Sequence, residues 1–129
     1  MTELNIEGTS ATPSILFDQQ SGIFEIKGKS FPEESRSFYA PVFEWLEEYA
    51  TNPNDETLFT FRLEYFNSSS SLIILEILNL LKSINNSGNK VVVSWNYLDI
   101  DEDMYEAGQE YAEMVNIPFE YKSWDESEF

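Results

Sequence analysis

Apolar residues along this chain alternate, then recur at helical spacing, then alternate again, and the changes of period mark the elements. Ile15 to Phe17 and Ile23 to Lys27 predict two short strands joined through the polar turn from Asp18 to Gly22. Between Ser35 and Ala50 the residues Phe38, Val42, Trp45, Leu46 and Tyr49 return every three or four positions, while Glu44, Glu47 and Glu48 take the other face. That is the pattern of an amphipathic helix. Pro41 falls inside it and removes a helical hydrogen bond, so the helix either bends there or begins its regular part there. Phe59, Phe61, Leu63 and Tyr65 then alternate with Thr60, Arg62 and Glu64, as in a half-buried strand. The apolar run from Leu72 to Ile84 contains no Gly or Pro and is too long for one strand; it predicts a second helix from about Ser70 to Asn86, stopped by Ser87, Gly88 and Asn89. Lys90 to Tyr97 reads as a buried strand by its β-branched residues. A third helix is expected from roughly Asp101 to Val115, with Asp101, Glu102 and Asp103 in its first turn and an apolar stripe of Met104, Ala107, Gly108, Tyr111 and Val115. Pro118 ends it, Phe119 to Lys122 forms a last strand, and an acidic tail runs from about Trp124 to Phe129.

The predicted order is β-β-α-β-α-β-α-β. Strands alternating with helices favour an α/β fold: a mixed, largely parallel sheet with right-handed crossovers, covered by three helices. No repeat or linker interrupts it, so residues 1–129 read as one domain.

Composition narrows the function. Hydrophobic residues at 42% and aromatics at 16% mark a folded chain rather than a disordered acidic one. With 24 acidic against 7 basic residues the net charge is −17, and Lys27, Lys29, Arg36, Arg62, Lys82, Lys90 and Lys122 are scattered along the sequence. Nucleic-acid binding needs clustered bases, so that class is disfavoured, while a basic protein partner is compatible. The absence of Cys and His removes disulfides, thiol nucleophiles, His-based triads and His metal ligands. Asp99, Asp101, Glu102 and Asp103 lack the Gly and distal Glu of a calcium loop, so neither a metal nor a cofactor is expected. The start has neither a basic segment nor an apolar stretch of signal length, and no run approaches the length of a membrane span; a cytoplasmic protein away from membranes is predicted.

The most informative feature is the run Ser68, Ser69, Ser70 and Ser71, placed where a strand hands over to a helix. Unpaired backbone N–H groups and the helix dipole favour negative charge there, so a phosphate would be tolerated. The ordinary alternative is capping by Asn67 or by one of the serines. On the second helix, Leu72, Glu76, Asn79 and Ser83 lie along one stripe at about 100° per residue, which predicts an exposed Leu72 beside the serines. Leu75 and Leu80 flank that stripe. Ser30, Pro32 and Glu33 read on their own as helix-start chemistry. Trp45, Trp95 and Trp124 read as core or edge aromatics, with Trp124, in the tail, the one most free to make a contact. Two rival classes remain open: a carboxylate-dependent hydrolase using a pair such as Glu64 and Asp99, and a constitutive acidic binding or immunity module without a switch.

The architecture with hydroxyls at a strand-to-helix junction looks like the STAS domains of anti-sigma-factor antagonists. In detail the chain resembles the SiaC family of regulatory phosphoproteins over nearly its whole length. The resemblance is carried by Gly8-Thr9, Thr12-Pro13, Gly28 to Glu33, Tyr65 to Ser70, Trp95 to Tyr97 and Asp101 to Met104. It implies a non-enzymatic partner switch. A Ser/Thr kinase phosphorylates the hydroxyl after the Asn, a PP2C-type phosphatase removes the phosphate, and the unphosphorylated form binds and activates a diguanylate cyclase, controlling cyclic-di-GMP signalling and biofilm or aggregation. By block position the acceptor is Ser68, where the family pattern has Thr; Ser69, Ser70 and Ser71 are the alternatives. The expected partner-binding residues are Asn67, Ser69, Leu72, Glu76 and Asn79, with Ser30, Pro32 and Glu33 in a loop beside them.

Overall fold

Three consecutive strand–helix–strand crossovers decide the architecture of residues 1–128, which the computed structural model describes. The strands are β1 (Leu4–Ile6), β2 (Ser14–Asp18), β3 (Ile23–Ser30), β4 (Glu56–Phe66), β5 (Lys90–Leu98) and β6 (Phe119–Trp124). The helices are α1 (Ser35–Thr51) after β3, α2 (Ser68–Asn86) after β4 and α3 (Glu102–Val115) after β5. The six strands lie in sequence order in one sheet. β1, β2 and β3 pair antiparallel, and β3 to β6 pair parallel. The expected α/β fold with three covering helices is therefore present, with β1 added ahead of the hairpin. Right-handed crossovers that all advance in one direction place every helix on the same face. α2 accordingly packs between α1 and α3.

Alternation then divides the sheet. Ile15, Phe17, Phe24, Ile26, Phe59, Phe61, Val91, Val93 and Trp95 are buried beneath the helices, which contribute Tyr39, Val42, Leu46, Ile74, Ile77, Leu78 and Leu81. Pro41 sits inside α1 without ending it. The other sheet face is mixed, carrying Leu58 and Val92 beside polar residues. Register places Lys27 opposite Arg62, Arg62 opposite Asn96 and Asn96 opposite Lys122, so three bases scattered in sequence share one row.

Two expectations are corrected here. The alternation of β4 breaks after Leu63: Gly28 pairs with Leu63 but Lys29 pairs with Tyr65, leaving Glu64 as an extra residue. Such a bulge reverses the inward and outward sense of the residues beyond it. Tyr65 is therefore 51% exposed, against exposed Phe31 at 5.8 Å between ring centroids, while Phe66 turns in towards Trp95 and Tyr111. Trp124 is not a tail residue. It closes β6, only 4% exposed, with the Arg62 guanidinium 4.8 Å from its ring centroid. Stacking with a cation keeps the indole on the sheet rather than in solvent. The last tail residue, Phe129, lies outside the described residues. Among those described, no helix is long and apolar enough to cross a membrane.

Candidate functional site: the first turn of the second helix

The bulge in β4 delivers the chain to Asn67, whose N–H donates to the Ser30 carbonyl at 3.0 Å. Asn67 is the N-cap of α2: its side-chain oxygen accepts from the Ser70 N–H at 2.9 Å. The Ser71 N–H reaches the Asn67 carbonyl at 2.9 Å. Asn67 thus performs the capping, and the N–H groups of Ser68 and Ser69 are the two in this turn that its cap does not cover.

A helical turn then gives four identical residues four environments. Ser68 is exposed, and its hydroxyl makes no hydrogen bond to another described residue. Ser69 is also exposed, but its hydroxyl lies 2.6 Å from that of Ser35 at the start of α1 and donates to the Asn67 side chain at 3.1 Å. Ser70 is fully buried, 2.8 Å from the Ser30 hydroxyl, which in turn lies 2.7 Å from the Tyr39 phenol. Ser71 is half-buried and donates to the Ser68 carbonyl at 2.7 Å. From the other side the Tyr111 hydroxyl of α3 donates to the Ser71 carbonyl at 2.8 Å.

Burial pushes the Tyr39 phenol up to about 12, with the Ser30 hydrogen bond opposing it. Tyr111 is raised to about 12, again chiefly by burial, with its Ser71 contact opposing. Both phenols are therefore neutral donors or acceptors at ordinary pH, which suits hydroxyl networks.

This also corrects the reading of Ser30 as helix-start chemistry. Ser30 is the last residue of β3 and fully buried, and its hydroxyl ties β3 to α1 and α2. The N-cap of α1 is Glu34, which makes no side-chain capping bond. Pro32 is buried and Glu33 exposed in the intervening loop.

Further along α2, Leu72 is 63% exposed and Glu76, Asn79 and Ser83 share its exposed stripe, while Leu75 and Leu80 pack partly against the core. Glu76 is not isolated. Both its oxygens accept from Arg36 of α1, at 2.9 and 2.5 Å. These hydrogen bonds, together with the Glu76 charge, hold the guanidinium above its ordinary value. Ser35 and Arg36 were missed in the sequence because their partners lie 34 and 40 positions away. One signal was available: Arg36 is the only base between Lys29 and Arg62. Glu64 and Asp99, the rival carboxylate pair, are both exposed, and the cavities that Glu64 borders are not lined by Asp99.

Comparison with known proteins bears on the fold and the family. A Pseudomonas aeruginosa protein described only as uncharacterised is 32% identical over 126 residues, 98% of this chain and 100% of its own. The crystal structure of apo-SiaC from Pseudomonas aeruginosa superimposes with a TM-score of 0.85 at 31% identity, covering 95% of this chain and 100% of that one. SiaC in the crystal structure of the diguanylate cyclase SiaD in complex with its activator SiaC, from the same organism, gives a TM-score of 0.88 at 31% identity, covering 94% and 99%. The description "SiaC family regulatory phosphoprotein" matches residues 6–124, and this chain belongs to that family.

Proposed function

We propose that this protein is a cytoplasmic, non-enzymatic partner switch that binds and activates a diguanylate cyclase when unphosphorylated and releases it when Ser68 carries a phosphate. The observation that carries the reading is the contrast at the head of α2: an exposed Ser68 hydroxyl on a turn that Asn67, Ser30 and Tyr111 hold in place. A fixed base presents the acceptor to a kinase without local unfolding. The choice of a cyclase as partner rests on the relative that is an activator of one. A Ser/Thr kinase and a PP2C-type phosphatase complete the cycle.

A phosphate on Ser68 adds roughly −1.5 to −2 charges beside the uncovered N–H groups of the first turn. It is held there by the helix terminus and repels an acidic or apolar partner surface that meets Leu72 and Asn79. The test is a titration of the phosphorylated and unphosphorylated forms against the cyclase, reading affinity and cyclic-di-GMP production together. The unphosphorylated form should raise production and bind at least tenfold more tightly, about 1.4 kcal/mol. Equal affinities would reject the switch. A phosphate found only on Ser69 or Ser71 would reject the acceptor and spare the mechanism.

A further inference from the structure

Helix α1 borders the serine turn through Ser35, and α3 borders it from the other side through Tyr111. On the α3 side the bulge in β4 leaves an aromatic pair in the open: Tyr65 is 51% exposed and Phe31 40%, with their rings at 71°. Bulges re-aim side chains beside functional sites, and this one aims Tyr65. Next to it a cavity of about 280 Å³ lies between the end of β4 and the head of α3. Its apolar lining includes Phe66 and Met104, its acids are Glu64, Asp101 and Asp103, and no base lines it among the described residues. Asp101 is already engaged as the N-cap of α3, whereas Glu64 and Asp103 are exposed and carry no ion pair among the described residues. An aromatic side chain, an apolar wall and two uncompensated carboxylates therefore meet in one cleft.

We infer that this cleft is the docking site of the kinase that phosphorylates Ser68, and that it takes an Arg side chain of that enzyme. Chemistry selects the side chain. A guanidinium lays its flat face on an aromatic ring and its methylene stem on apolar groups while its N–H groups reach carboxylates, and each of those partners lines the cavity. Position selects the enzyme. Tyr65 stands three residues before Ser68, and four consecutive serines offer a kinase the same side-chain chemistry, so contacts outside the run must bring the first of them to the reacting centre. The stripe of Leu72, Glu76 and Asn79 does not line this cleft, so the kinase and the cyclase meet separate surfaces around one turn. Half-exposed aromatics beside a desolvated Arg are the kind of anchor on which binding energy concentrates.

The assignment rests on the reading of Ser68 as the phosphate acceptor. The full-length protein is phosphorylated with ATP by the soluble extract of the cell that makes it, and the initial rate at Ser68 is followed by mass spectrometry at limiting substrate. Tyr65→Ala should lower that rate at least tenfold, whereas Tyr65→Phe, which keeps the ring, should stay within threefold of the parent. Glu64→Lys together with Asp103→Lys should also lower it at least tenfold. The same charge change at exposed Glu110→Lys with Glu113→Lys, farther along α3, should lower it less than threefold. Affinity of Tyr65→Ala for the cyclase should stay within threefold of the parent, which also reports that the variant is folded. Equal rates for the parent and Tyr65→Ala would overturn the inference and leave the switch standing, as would equal losses from the two charge pairs. A tenfold loss of cyclase affinity would merge the two surfaces and overturn it as well. If the parent itself gains no phosphate on Ser68, the acceptor reading falls and the docking site with it.

Discussion

Ser68 and Ser70 are the same residue two positions apart on one helix, and the fold treats them as opposites. Ser68 projects from the turn and is exposed, whereas Ser70 points under it into a network with Ser30 and Tyr39. Two residues are about 200° of helix, enough to exchange solvent for core. A phosphate on the first is accommodated by water and the helix terminus, while a charge on the second must be buried. The first turn of α2 therefore combines an accessible hydroxyl with a rigid seat for it.

The largest effect that can break this comparison is a charge placed on each side. Ser70→Asp should cost about 3 kcal/mol or more, since it buries a carboxylate among neutral hydroxyls. Ser68→Asp should change stability by no more than about 0.5 kcal/mol. Urea unfolding of both variants measures the difference, and similar losses would abolish the distinction.

Alkaline pH probes the buried side without mutation. The Tyr39 phenol is raised to about 12 in the folded protein against roughly 10 when unfolded. Below pH about 10 both states hold the proton and its contribution is complete. Between about 10 and 12 the unfolded chain releases the proton first, so stability falls by about 2–3 kcal/mol and this contribution is lost. Tyr39→Phe should flatten that part of the pH profile. Tyr111, also raised to about 12 by burial, adds a slope of the same sign.

Deleting single groups sharpens the contrast. Ser70→Ala leaves Ser30 short of a buried partner and should cost about 1–3 kcal/mol. Asn67→Ala removes the cap and should cost about 0.5–2 kcal/mol. Ser68→Ala removes neither, and thermal unfolding should place it within about 0.5 kcal/mol of the parent while abolishing phosphate incorporation.

Leu72→Glu should disturb stability as little as the Ser68 substitutions do. With 63% exposure it should shift stability by no more than about 0.5 kcal/mol, yet it should strongly weaken capture of the cyclase. A large fall in melting temperature would place Leu72 in the core instead.

The elements of this protein were legible in its sequence because burial imposes a period on each of them locally. Phe59, Phe61 and Leu63 declare a strand without reference to anything distant, and the stripe from Leu72 through Glu76 to Asn79 declares which side of α2 faces water. The sequence likewise places serines at the head of a helix. Other decisions belong to residues far apart in the chain. The extra residue Glu64 turns Tyr65 outward and Phe66 inward, which only pairing with β3 can impose. Ser70 is claimed by Ser30, 40 positions earlier, and Glu76 by Arg36, also 40 positions away. Periodicity reports which side of an element is apolar, but a hydrogen bond or a register shift depends on the partner that packing brings within about 3 Å. Only the tertiary structure supplied those partners, and they separate one accessible serine from its buried neighbour.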